Sequence, residues 1–227
     1  MRTRFPRKQR SAPNTHTELT NTKSFLAFLV AAIVLAITPG PGIAYVVART
    51  VAGGRSEGLA SCIGTGLGGL LHVAAAAIGL SLLISQSAIA FNVVKYFGAA
   101  YLVCLGLRML LRKEQAFTVE AVTSQGARRA LFEGILVEGL NVKTALFFLA
   151  FLPQFTTSSA PLVPQLVLVG SICVALNTLV DVVAVHGAHR LLASGAARAA
   201  RVRVLTRVSG ATMVSLGGFL ALARRES

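Results

Sequence analysis

The sequence predicts an all-α integral membrane protein of about six transmembrane helices, arranged as two inverted three-helix repeats, with helices one and four broken. Three observations carry this. The 227 residues are 54% hydrophobic and only 13% charged, with a mean hydropathy of +0.70; a soluble domain carries about twice that charged fraction. The apolar residues come in long blocks separated by short basic or uncharged stretches. The first block is interrupted by Thr38-Pro39-Gly40-Pro41-Gly42. Proline removes a backbone donor and clashes with the preceding turn, and glycine relaxes the backbone, so no continuous helix passes through it.

Residues 1–23 are polar and basic, with Arg2, Arg4, Arg7, Lys8, Arg10 and Lys23, and read as a disordered tail. The tail and first block superficially resemble a signal peptide, or an Arg-rich presequence. Pro-Gly-Pro stands where a small-residue cleavage site is needed, so an uncleaved tail is expected. Residues 24–225 read as one transmembrane domain. Its first block, 24–48, reaches span length only if the helix resumes after the break at 39–42. Blocks 59–84 and 88–111 complete repeat one, about 24–112. Blocks 132–155, 162–188 and 206–223 make repeat two, about 132–225. A span needs about 20 residues, fewer where a helix is broken or the bilayer thins.

A shift of 112 residues relates the halves. It lays Gly98-Ala99, Gly106 and Arg112 on Gly210-Ala211, Gly218 and Arg224, Pro41 on Pro153, and Gly69 on Asp181. Two copies of an odd number of spans are inverted relative to each other, and inverted repeats with paired broken helices are a transporter pattern.

The net charge is +14, from 22 basic and 8 acidic residues. Outside the tail most basic residues sit between blocks: Arg49 and Arg55; Arg112, Lys113, Arg128 and Arg129; Arg190, Arg198, Arg201, Arg203 and Arg207, while Lys95 lies just inside block three. The positive-inside rule puts these three loops in the cytoplasm. Six spans then put both termini outside, whereas the basic tail resists translocation. Membrane topology accounts for the charge, and no basic platform with interleaved aromatics occurs, so no nucleic-acid partner is expected. Cys62, Cys104 and Cys173 lie in separate blocks without a CxxC, which indicates neither a disulfide framework nor a metal site. No P-loop, nucleophile elbow or HExxH appears. The expectation is a non-enzyme without a cofactor, driven by an ion gradient rather than by ATP.

Charged residues inside apolar blocks cost about 2.5–3.5 kcal/mol each at a helix centre, and so mark function by default. In the second half these are Glu138, Lys143 and Asp181, with the polar Asn141. Glu138 and Asn141 are three apart and share a helix face; Lys143 lies off it. Asp181 is flanked by valines. Burial favours a carboxyl's neutral form and a nearby lysine its charged form, so a group balanced between them can take up and release a proton each cycle. The bland alternative is a static Lys143–Asp181 ion pair. Glu138, nearer its block's edge, reads as an interfacial charge able to snorkel. His72 follows the glycine-rich stretch 64–69, whose spacing suits helix packing rather than phosphate. It is either a site residue or a packed histidine. His186 and His189 read as interfacial. Pro39, Gly40, Pro41 and Gly42 supply broken backbone, tolerated at membrane depth only where it is buried or lines a wet cavity.

These residues resemble the LysE/RhtB superfamily of bacterial amino-acid exporters, in particular its homoserine/threonine efflux type. The resemblance runs from about Ser24 to Arg225. It rests on Pro39-Gly40-Pro41, on Lys95-Tyr96-Phe97-Gly98-Ala99-Ala100-Tyr101-Leu102 with Leu105-Gly106, and on Asn141-Val142-Lys143 leading to Phe147-Phe148 and Phe151-Leu152-Pro153-Gln154-Phe155. Asp181 matches an acidic position, and Ser209-Gly210-Ala211 with Leu216-Gly217 the closing helix. Three departures matter. Val142 stands where a proline is usual, which implies a softer break in helix four. Gly69 stands where many relatives carry Asp, and Glu138 where Asn is common. The resemblance implies a multi-pass secondary exporter of the bacterial inner membrane. Its substrate is an amino acid or similar metabolite, exchanged against protons. Backbone donors at 39–42 with Lys143 and Asn141 would hold the carboxylate, and Asp181 with Glu138 the ammonium or proton. A metal-cation exporter of the same superfamily and a non-transport assembly factor are the alternatives. The Gly/Ala-rich face of block two offers a surface for a homodimer.

Overall fold

The computed structural model describes residues 15–38, 40–111, 123–157, 160–192 and 195–222. Among these the chain is helical throughout: α1 (Thr15–Ile37), α2 (Pro41–Gln86), α3 (Ala88–Leu111), α4 (Ala127–Gly139), α5 (Val142–Phe151) with a 3-10 turn at Leu152–Phe155, α6 (Leu162–Leu192) and α7 (Gly195–Leu222). α1 begins nine residues before the apolar block, so its first turns lie in the stretch read as tail. Pro39 and residues 1–14 lie outside the described set.

The first break is where the prolines and glycines place it, between Ile37 and Pro41. Proline suits the first position of α2, where its missing N–H has no partner to lose. α2 is not one rod. Gly54 takes φ 74° and ψ −166°, a conformation glycine adopts without a Cβ penalty. The chain reverses there, so that Gly42 lies against Thr65 and Val46 shares a small apolar cluster with Cys62 and Val185. The second break separates α4 from α5 with a 49° bend. Asn141, not proline, makes it: its side chain accepts the Lys143 backbone N–H at 3.1 Å and caps α5. The missing proline at Val142 has not removed the break. Pro153, which the shift of 112 pairs with Pro41, sits instead in the 3-10 turn ending α5. That shift carries residues 38–40 onto 150–152, away from the break at 140–141.

By length and composition Pro41–Leu82 and Leu162–Ala188 are apolar enough to cross a membrane, and the bent α4–α5 pair makes a third. α2 packs on α4 and α6, and α3 on α7. The glycines of block two explain the first of these contacts. Gly64 meets the Leu131 carbonyl and Gly134, and Gly68 meets the Ile135 carbonyl, while Gly66 and Gly69 lie against Thr178 and Val174 of α6. The 64–69 glycines of the face offered above as a dimer surface are therefore packed within the chain, while Ala74, Ala75 and Gly79 farther along α2 stay exposed. The main core joins α1, α2, α3, α5, α6 and α7. In it Phe147, Phe151, Phe155 and Phe28 form a run of ring contacts 4.8–5.4 Å apart that ties α5 to α1.

Beside the reversal at Gly54 lies a buried polar knot. Glu57 Oε1 accepts from the Ser124 hydroxyl and from the Gln125 and Gly126 backbone N–H groups at 2.6–2.9 Å. Arg49, 3% exposed, donates to Glu133, Gln125, the Thr123 carbonyl and Tyr45. It stands 3.8 Å from Glu57 Oε2. The knot fastens the loop before α4 to the α2 reversal.

Candidate functional site

The two breaks face each other. At the first, the last turn of α1 leaves carbonyls without intrahelical donors. Thr38 Oγ1 folds back to the Val34 carbonyl at 2.6 Å. The ammonium of Lys143 donates to the Thr38 carbonyl at 3.0 Å and the Leu35 carbonyl at 3.5 Å. Its Nζ would be 2.9 Å from a Cβ on Gly40, so any side chain there would have to displace the ammonium. At the second break, Glu138 closes α4 and Asn141 opens α5. Glu138 Oε2 accepts from Asn141 Nδ2 at 3.0 Å and Oε1 from Thr144 Oγ1 at 2.7 Å. A Cβ on Gly42 would stand 2.7 Å from Glu138 Oε2. His72 Nε2 lies 2.8 Å from the Glu138 carbonyl, and its ring meets Phe148 edge-on.

Asp181 enters from α6. It is 2% exposed and accepts from Thr65 Oγ1 at 3.0 Å. That hydroxyl is also 3.1 Å from the Cys62 carbonyl. Two small adjoining voids meet these groups. One is lined by Thr65, Glu138, Thr144, Asn177 and Thr178 among others, the second by Gly40, Gly42, Glu138, Lys143, Asn177 and Asp181 among others. Each has room for about one water, so the site is closed in this conformation.

The arrangement gathers Gly40, Gly42, Glu138, Asn141, Lys143 and Asp181 at one locus, and corrects three readings. Glu138 is not an interfacial charge: it is 1% exposed, drawn inward because the bend turns the end of α4 toward α2. Lys143 does not sit apart from Glu138 and Asn141, since helical periodicity does not continue across a 49° bend. The described ion pairs do not join Lys143 to Asp181; each is occupied by neutral partners instead. His186 is exposed and bonds the Val182 carbonyl of its own helix, while the side chain of His189 lies outside the described set. Sequence reading missed Thr65, Thr144 and Asn177.

The LysE type translocator profile matches residues 33–224. The chain belongs to this family. Within it, the chain is 29% identical over 206 residues to a homoserine/homoserine lactone efflux protein of Salmonella typhimurium, covering 88% of this chain and 97% of that one. It is 31% identical over 157 residues to a membrane protein of Vibrio cholerae, covering 69% and 76% respectively. Against the YrhP membrane protein of Bacillus subtilis it is 31% identical over 166 residues, covering 69% and 79%. No solved structure matches the chain significantly. As a LysE family translocator, this helical membrane protein moves a solute rather than transforming one.

Proposed function

We propose that this LysE family member is a secondary exporter of amino acids or related small metabolites. It would work across a bacterial inner membrane, in exchange for protons. The observation that carries the reading is the enclosure of two carboxylates and one ammonium, Glu138, Asp181 and Lys143, at the meeting of two helix breaks. Ionisable groups at such a depth mark transport pathways, and broken helices are where transporters bind. The named efflux relative supports the solute class. Asp181 is the proposed coupling group. A proton and a substrate ammonium compete for its carboxylate, so loading one from either side expels the other. The closed voids require the helices to part before a solute enters, which is the alternating access such competition needs.

The test is efflux from liposomes holding purified protein and a labelled amino-acid mixture, with an imposed proton gradient and mass spectrometry of what leaves. Gradient-dependent loss of one or a few species is expected. Folded protein that releases nothing would overturn the reading and favour an assembly role.

A further inference from the structure

Taking the exporter reading as its basis, we propose that Glu138 occupies the place of a substrate carboxylate. The site then selects small primary-ammonium compounds lacking a free carboxylate over zwitterionic amino acids.

A broken span offers a zwitterion two fixed partial charges: the positive end of the helix that resumes and the negative end of the helix that stops. Here the chain fills both. The carbonyls ending α1 hold the Lys143 ammonium. The Glu138 carboxylate stands beside the first turn of α2, its Oε2 2.7 Å from where a Cβ on Gly42 would be, while its hydrogen bonds come from Asn141 and Thr144. Cα–Cβ bonds tilt toward a helix N-terminus, so a group at the Cβ position of Gly42 stands over the positive end. Nor is Glu138 a free arm. Thr144 and Asn141 each donate to one of its oxygens, and it is 1% exposed. The feature that would bind a substrate carboxylate is thus built into the protein.

What remains open is acidic. Asp181 carries one hydrogen bond, from Thr65, and faces the void that Asn177, Glu138 and Lys143 also line. In the proton-unloaded state of the proposed cycle, two carboxylates stand against one ammonium, so one negative charge is left for the substrate to balance. A single added positive charge balances it. A zwitterion brings that charge together with a second carboxylate, forced between Glu138 and Asp181 in a water-poor space, where like charges cost several kcal/mol. An amide, ester or simple amine avoids that repulsion.

The test uses matched pairs in inside-out vesicles under a proton gradient: L-threonine with L-threoninamide, and L-alanine with L-alaninamide. Passive entry is subtracted with protein-free vesicles. The wild-type protein is expected to favour the amides by about a hundredfold or more, the scale of one buried like-charge contact. Glu138→Gln keeps the shape and removes the charge; Glu138→Asn also shortens the side chain. Both are expected to lose or reverse the preference. The same ranking is expected from ligand-induced thermal stabilisation in detergent, which confirms that each variant is folded. Equal transport of acid and amide by the wild type, or a preference unchanged in both variants, overturns the proposal alone. Folded wild-type protein that moves no member of either pair overturns it together with the exporter reading.

Discussion

Thr65 Oγ1 stands within hydrogen-bond distance of both Asp181 and the Cys62 carbonyl, and a hydroxyl has one proton to give. When Asp181 is ionised, Thr65 donates to it. When Asp181 is protonated, the carboxyl donates to Oγ1, and the Thr65 proton turns to the Cys62 carbonyl. Both states of the acid are satisfied without movement of a helix, a property suited to a group that must load and unload a proton. Thr65→Val is therefore expected to slow gradient-driven efflux by about tenfold or more, since a hydrogen bond to a charged group contributes about 1.5–3 kcal/mol. Thr65→Ser is expected to restore it, and equal rates in the two variants would leave Thr65 a packing residue. Asp181→Asn, which keeps the shape but cannot take up the proton, is expected to abolish coupling while the protein still folds. Efflux in that variant that responds to pH as the wild type does would remove Asp181 from the cycle. Asp181 and Lys143 stood out in the sequence because a charge in an apolar block is costly; Glu138 stood out for the same reason, but its place near the block's edge made it read as interfacial. Thr65 and Thr144 did not stand out. A threonine in a helix commonly bonds its own preceding turn, as Thr38 and Thr50 do here, and the letter alone does not separate those cases.

At the scale of elements, the site depends on how two helices stop and restart. The first stop is written in Pro39-Gly40-Pro41-Gly42 and was readable. The second, expected as a softened break in helix four, rests on Asn141, whose role in capping α5 was hidden because Asn141 and Glu138 were set on one helix face. Once the bend is admitted, Asn141 does two jobs: its Oδ1 caps α5 through the Lys143 N–H, and its Nδ2 holds Glu138. Asn141→Ala is expected to cost about 1 kcal/mol for the cap alone. The unpaired Glu138 oxygen adds about 1–3 kcal/mol. Asn141→Asp keeps the acceptor and loses the donor, so it is expected to retain the cap while disturbing Glu138. Thermal unfolding of the two variants in detergent separates these roles: comparable losses in both would mean that the cap contributes little. The block-two glycines behave likewise. Their spacing announced a packing face, but which helices it would meet required the structure, where Gly64 and Gly68 admit α4 to backbone contact.

At the scale of the whole molecule, the loop before α4 is held to the α2 reversal by the Arg49–Glu57–Glu133 knot, on the side that the basic loops mark as cytoplasmic. α4 carries Glu138 into the site at one end and is fastened at its middle through Glu133 and at its start through the 123–126 loop, so a movement of α4 that opens the site from this side is expected to strain the knot. Glu57 is the sensitive member, because its nearly unexposed carboxylate accepts the Ser124, Gln125 and Gly126 donors, and each donor left unsatisfied costs about 1–3 kcal/mol. Glu57→Ala is expected to lower thermal stability by that order, and to make a cysteine placed at Thr123, exposed and tied to the knot through its backbone carbonyl, react faster with a membrane-impermeant thiol reagent added from the cytoplasmic face. Introduced into protein lacking Cys62, Cys104 and Cys173, the Thr123 cysteine also reads the topology. It should label only from inside, and a cysteine at Ala160, in the uncharged stretch between α5 and α6, only from outside. Labelling of Thr123→Cys from outside would invert the orientation that the loop charges dictate. Unchanged reactivity after Glu57→Ala would detach the knot from gating and leave it a structural clasp.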